Sequence, residues 1–599
     1  MFFSKLHALL KKYASLAAVA AVLMGVVAAP YLIPENPDSP VFRNGTLGFI
    51  LLCSTYFPLR DAFFRAKWRV LLSAGILGFL FSLALSLGSE LTAYGGLLPG
   101  MGSMVRRLAV PVLAAPLFGG LIARFIMLDC ACQERRSLRL PLWAYTAILL
   151  ICWLPLLIAY YPGMFNYDFN TEYRQFYYLE WDGRHPLLYI VICYAIFGLG
   201  RLIDQPELAI LTVTLLRMVT FAAALGYSCV FLQRRRAPRI AILLLTAAYA
   251  LLPIFSVMSV SSAKDTPFTA ALLVLSLLSW EAIENPKEFF ASKRRIVAFV
   301  LMVLFTYHMR KNGVAAIALM LPLLIAAARG YRLKMAKLCA LSVACSLALS
   351  SLMLAVFKPF DAPAFQTYSV PAQQLVRAYN HADLSQADKD EIRSWYTEDF
   401  GLTVYPHLAD GAKGYLNQDR LREEPMEFMK LWARIGMQCP RIYAEAFLML
   451  NQGSWYPDDT SHAVVYHGSA NTWIGYLHLH EYDFFHEYDV HTHQNAQPLP
   501  QLRSLLERIC RFNEHQKLPI ISILLCTATP LWTLLFVCAF LIARKQARYI
   551  AAASGVLAIW LSYQFGPCTL ARYILPLFAL APVLLISVFC LPGKASAED

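Results

Sequence analysis

The sequence predicts an all-α polytopic membrane protein of about 14 transmembrane helices, and three observations carry that prediction. Hydrophobic residues make up 58% of the 599-residue chain and charged residues only 15%, where soluble domains carry about 25% charged residues. Mean hydropathy is +0.50. Many apolar stretches reach the roughly 17 to 25 residues that a helix needs to cross hydrocarbon. The alternating pattern of a membrane β-barrel is missing, so the spans are helices. The net charge of +13 sits in short loops beside the spans, where Lys and Arg set orientation; it argues for topology and against nucleic acid as a partner.

Each element follows from those rules. Lys5, Lys11 and Lys12 precede an apolar stretch from Tyr13 to Ile33, which lacks a small-residue cleavage site and is expected to stay as the first span. Basic clusters at Arg60 to Arg69, Arg124 to Arg139, Arg234 to Arg239, Lys293 to Arg295, Arg329 to Lys337 and Arg544 to Arg548 are assigned to the cytoplasm. Four spans, near 13–33, 45–59, 70–88 and 108–128, fill an N-terminal segment 1–139, and a fifth near 141–161 then ends outside, just before Asp168. Counting both 185–200 and 208–232 as spans would put Arg234, Arg235 and Arg236 outside. The first of these is therefore expected to lie in the outer interface or re-enter it, within an outer loop 162–206.

Spans near 238–258, 266–284, 296–308, 313–329 and 335–357 complete a core over 140–357. Residues 358–517 are polar, aromatic and rich in turn residues, long enough for an α-rich extracytoplasmic domain between spans 11 and 12. Within it LSQADKDEIRSWY reads as a helix capped by Ser385, and PMEFMKLWARIGMQCPRIYAEAFLML as helices packed on the membrane face. Spans near 518–542, 547–565 and 573–591 occupy a C-terminal segment 518–599, so both termini are expected in the cytoplasm. Most of the 14 cysteines fall in apolar spans and act there as small hydrophobes. Cys439 and Cys510 share the large polar segment, which leaves a disulfide between them open.

With this topology, the polar groups able to carry chemistry all fall on the outer face. In YYPGMFNYDFNTEY a long apolar span delivers Asp168, with Glu172 four residues on, so a helix there puts both carboxylates on one side. A carboxylate in that place can act as general base on an acceptor hydroxyl; a hydrated interface loop is the plainer alternative. Asp182, Arg184 and His185 follow on the same loop. SSAKDTPF sets Lys264 and Asp265 where Pro267 opens a helix, either as a binding pair or as a structural ion pair. YHMRKNG presents His308, Arg310 and Lys311 in a turn, where Arg and Lys are suited to a phosphate. PCTLARYILPLF starts the last span at Arg572, whose alternative role is snorkelling to headgroups. The stretch holding His478, His480, His486, His491 and His493 shows no fixed ligand spacing. No cofactor is therefore assigned, and dependence on a divalent metal stays open. P-loop, Rossmann, CxxC and GxSxG signatures are not evident.

At these residues the chain resembles the GT-C class of integral-membrane glycosyltransferases, which includes protein O-mannosyltransferases and aminoarabinose transferases of lipid A, and most closely an uncharacterised multi-span bacterial branch. The resemblance rests on FNYD at Asp168, RHPLLY at His185 and Pro186, D-T-P at Asp265 to Pro267, the Arg310 to Gly313 turn, and RYILP from Arg572 to Pro576. It covers roughly 140–360 and the last two spans. It departs from the class pattern in that many members pair two acids in the first outer loop, whereas Asp168 lies between Tyr167 and Phe169. The resemblance implies a GT-C-like fold in the cell membrane. It implies a hexosyl or pentosyl transferase with a polyprenyl-phosphate sugar as donor and an extracytoplasmic glycan, lipid or protein hydroxyl as acceptor. Asp168 would be the base, Lys264, Arg310, Lys311 and Arg572 would hold the donor phosphate, and Glu172, His185 and Asp265 would orient substrate. A polysaccharide polymerase or ligase and a lipid-linked-sugar flippase or transporter are the alternatives.

Overall fold

The structure, a computed structural model, describes residues 2–32, 46–128, 139–164, 167–360, 367–403, 408–457, 464–466, 469–471, 498–510 and 518–591. Helices make up almost all of it; among the described residues the strands are one short antiparallel pair, Val464–Tyr466 with Ser469–Asn471. Eight helices are long and apolar enough to cross a membrane, from Ala14–Leu32 to Ala571–Phe589, and nine if one bent pair counts as a single span. The chain is thus a membrane-embedded helical protein.

Several segments expected as single spans are divided. The stretch near 45–59 becomes Thr46–Ser54 and Tyr56–Arg65, each too short to cross hydrocarbon alone. The stretch near 238–258 breaks between Arg239–Leu251 and Pro253–Val260 with a 49° bend. Pro253 explains the break, because it supplies no backbone N–H and crowds the preceding turn. The stretch near 518–542 divides into Pro519–Leu525 and Thr529–Ala543. Leu187–Leu202 is an apolar helix of 16 residues, which is short for a span.

One large core joins the bundle. One close helix contact is between Trp68–Tyr94 and Met101–Ile126, where a Cβ on Gly78 would stand 2.4 Å from the backbone nitrogen of Gly119. Small residues there let the two backbones meet, as is usual where lipid rather than water surrounds the helices.

Helix ends gather on two faces. At the end away from Asp168, buried Glu281 lies 3.6 Å from Arg234 and 3.5 Å from Arg295 and accepts from the Tyr227 hydroxyl at 3.2 Å. At the same end, Arg235 pairs with Glu284 and Trp280 stacks on Tyr549 with centroids 4.4 Å apart.

At the Asp168 end sits a smaller helical unit from the 358–517 segment. It has its own core, including Leu375, Trp395, Phe428 and Ile435. Ser385 accepts from the backbone N–H of Asp388 and starts Gln386–Arg393, and Pro425–Gln438 and Pro440–Leu450 form the two helices expected after it. The unit is anchored by buried Glu445, which pairs with Arg377 and accepts from the Leu97 backbone N–H at 2.8 Å, while Arg377 donates to the Gly95 carbonyl at 2.7 Å. Cys439 is a free thiol that donates to the Ile435 carbonyl at 3.1 Å.

Replacing Gly78 by Val should force the two backbones apart and lower stability by about 1 to 3 kcal/mol. Thermal unfolding of the purified variant in detergent checks this, and an unchanged midpoint would refute the close contact.

Candidate functional site

The site forms where an irregular connection is stitched to the chain before Asp168. The Pro253–Val260 helix ends, and Met164 donates to the Val260 carbonyl at 2.9 Å and accepts from Ser262 at 2.6 Å. This short parallel bridge holds the Ser261 to Lys264 turn against the start of the Tyr167–Tyr178 helix. On that helix, Asp168 and Glu172 stand one turn apart on the same face and both reach Lys264.

The Lys264 ammonium is the hub. Its Nζ lies 3.1 Å from Asp168 Oδ2, 3.1 Å from Glu172 Oε1 and 2.8 Å from His185 Nδ1. His185 Nδ1 is 3.3 Å from Glu172 Oε1, and Arg572 Nη1 donates to Asp168 Oδ2 at 3.0 Å. Asp168 is the accessible member, with 30% of its side chain exposed against 6% for Glu172.

Both carboxyls titrate below their ordinary range. Burial alone would raise Asp168, but Lys264, then Arg572 and His185, hold it well below its usual value. Burial would likewise raise Glu172, and Lys264 and His185 outweigh it.

Asp265 and Arg310 form a second buried pair beside the first. The Arg310 guanidinium lies 5.1 Å from the ring centre of Tyr563 and 4.8 Å from that of Tyr573, placing its charge over two stacked aromatic faces. Tyr573 links the pairs, because Arg572 donates to its hydroxyl at 3.2 Å. Lys311 is exposed beside Arg310, and among the described residues no carboxylate lies within ion-pair distance of it. The structure therefore brings Asp168, Glu172, His185, Lys264 and Arg572 into one network and Asp265 with Arg310 into its neighbour, and leaves Lys311 on the rim. The described residues hold no group of three or more His, Cys, Asp or Glu placed to bind a metal; His478, His480, His486, His491 and His493 lie outside them.

Two contributors escaped the sequence reading. Arg217 is buried inside the Pro206–Arg234 span and donates to the Tyr189 hydroxyl at 3.0 Å, which donates to the Ser262 carbonyl at 3.0 Å. It thus braces the turn that presents Lys264. The signal was a lone cation in an apolar span, which is rarely without a role. Lys413 and Asp410, paired at 2.7 Å, come from the Ala409–Gly414 helix of the smaller unit. The Ala409 N–H donates to the Pro567 carbonyl at 2.7 Å. The pair approaches the site at Cys568, whose thiol is pushed up to about 12 by burial, then by Asp410, against the pull of Arg572 and Lys413. No local pattern marked Lys413, because tertiary folding alone brings it there.

The family of unknown function DUF6020 matches residues 182–599, and the chain belongs to it. The match includes His185, Lys264, Asp265, Arg310, Lys311 and Arg572 and begins after Asp168 and Glu172. No curated protein and no solved structure matches the chain.

The two depressed carboxyls make the fold sensitive to acid. Their contribution is present above the unfolded carboxylate range of about 4 and is lost as pH falls through the lowered folded values. The melting temperature should drop on acidification below about pH 4, and Glu172→Gln should flatten that acid limb. An acid limb identical in wild type and variant would refute the assignment.

Proposed function

We propose that the chain is a membrane glycosyltransferase of GT-C type that moves a sugar from a polyprenyl-phosphate donor to a hydroxyl on an extracytoplasmic glycan, lipid or protein of the cell envelope. One observation carries the reading: Asp168, partly exposed, is held by two cations from distant parts of the chain, Lys264 and Arg572. In this reading about 14 spans put both termini in the cytoplasm and the smaller helical unit outside. The gathering of Arg234, Arg235 and Arg295 at the end opposite Asp168 supports that orientation.

The chemistry is an exchange of partners. The donor phosphate takes hydrogen bonds from Arg572 and Lys264, with Lys311 at the rim and Arg310 of the neighbouring buried pair adding positive charge. Asp168, relieved of its cations, regains basicity toward its ordinary carboxyl value and accepts the proton of the acceptor hydroxyl. The acceptor oxygen bonds to the anomeric carbon as the bond from that carbon to the phosphate oxygen breaks. The cations stabilise the charge that grows on the departing polyprenyl phosphate. Glu172 and His185 keep Lys264 in position, and Asp265 does the same for Arg310.

A second reading, transport of a lipid-linked sugar, draws on the break at Leu252 and Pro253, since discontinuous helices line substrate sites in many transporters. A transporter would move a labelled lipid-linked sugar across proteoliposomes without cleaving it, whereas a transferase releases polyprenyl phosphate.

Asp168→Asn should abolish transfer at normal expression; near-normal turnover of the purified variant would sink the role of Asp168 as base. Cells lacking the gene should accumulate a polyprenyl-phosphate sugar and lose one envelope glycan modification. Arg310→Ala and Arg572→Ala should each weaken donor binding by about tenfold or more, and unchanged donor affinity in both would remove the phosphate assignment.

A further inference from the structure

An open groove far from the Asp168 site runs between the Trp68–Tyr94 and Thr529–Ala543 helices and offers about 390 Å³. One wall is a ridge of Trp68, Leu72, Ile76 and Leu80, four residues apart and so aligned along one side of the helix. The facing wall is Leu535, Ala539 and Ile542. Ser73 on the floor adds little polarity, because its hydroxyl donates to the Arg69 carbonyl of its own helix at 2.8 Å. From Trp68 to Leu80 the groove runs about 18 Å. It stops where Phe81 meets Trp532 edge to face, with centroids 5.0 Å apart.

The other end is basic. Exposed Arg69 stands at the mouth, and among the described residues no carboxylate lies within ion-pair distance of it. Exposed Lys67 precedes it, and Arg544 and Lys545 follow the Thr529–Ala543 helix at the same end. Trp68, 42% exposed, has the apolar body and polar tip that suit a membrane interface. An open apolar trough along two spans, with exposed Arg69 at one mouth, matches one acyl chain joined to a negatively charged headgroup.

We propose that this groove is a binding site for an anionic phospholipid, with one acyl chain laid along Leu72, Ile76 and Leu80 and the headgroup phosphate on Arg69. The bilayer supplies the occupant, and charge complementarity at the mouth selects its class. The site is independent of the Asp168 network, so neither proposal stands or falls with the other.

The test uses the full chain in detergent, titrated with phosphatidylglycerol or with phosphatidylcholine of identical chains, and bound lipid is counted by native mass spectrometry. Wild type should retain one phosphatidylglycerol that phosphatidylcholine does not replace at equal concentration. Arg69→Gln should weaken that lipid about fivefold, and Ser73→Phe, which fills the floor, should remove it while the melting temperature holds. Equal retention of both lipids, or retention untouched by Ser73→Phe, would overturn the proposal. A dimer that Ser73→Phe dissociates would also overturn it, by assigning the groove to a second copy of the chain.

Discussion

The site depends on one ammonium. Asp168 and Glu172 lie one turn apart on a single helix, where two ionised carboxylates repel. Lys264 meets both at 3.1 Å and turns that repulsion into a bridge. Its own position is fixed from behind by the Met164 and Ser262 backbone pairing and by Arg217 acting through Tyr189. Removing one partner of such a buried network leaves the others uncompensated, which costs more than the pair contributes when complete. The order of the Asp168 region therefore follows from the order of the Ser261 to Lys264 turn.

The same low dielectric explains the distribution of charge through the bundle. Ion pairs gather at two levels, Lys264 and Arg572 with their acids at one end and Glu281 with Arg234 and Arg295 at the other. Between them the helices are almost wholly apolar. Arg217 breaks that pattern, buried on a span with its Nε making no hydrogen bond among the described residues. Its Nη atoms are satisfied by Tyr189 and Thr214, neutral groups that accept without cancelling the charge.

Much of the fold and part of the site were legible in the sequence because polar residues are rare in this chain and each stands out. Asp168 lies 96 residues from Lys264 and 404 from Arg572, yet each interrupts or borders an apolar run, and helix ends in a membrane share two faces only. Element lengths were less legible. Hydropathy reads 45–59 as continuous, whereas Thr46–Ser54 and Tyr56–Arg65 are separate helices; apolar character says where a chain is buried but not where its helix breaks. Arg217 was hidden by the long apolar window around it. Lys413 carried no local signal, since its neighbour Cys568 is 155 positions away and the contact exists only because Glu445 and Arg377 clamp the smaller unit onto the bundle.

The structure also alters the chemistry that the residue types suggest. Four cations beside one carboxylate read as a phosphate cradle waiting for its ligand, but Lys264, Arg310 and Arg572 already hold Asp168, Glu172 and Asp265. In the proposed reaction an anion entering here would replace a carboxylate rather than fill a gap, so its binding and the release of Asp168 would be the same event. That coupling has a functional logic for transfer. A carboxylate clamped by Lys264 and Arg572 is a weak base, and in the proposed transfer it would regain basicity once a donor phosphate had taken its cations. In the proposed reaction the pairing of Asp168 with Lys264 and Arg572 would guard against hydrolysis, and the partner exchange would make the arrival of the donor the signal that arms the base.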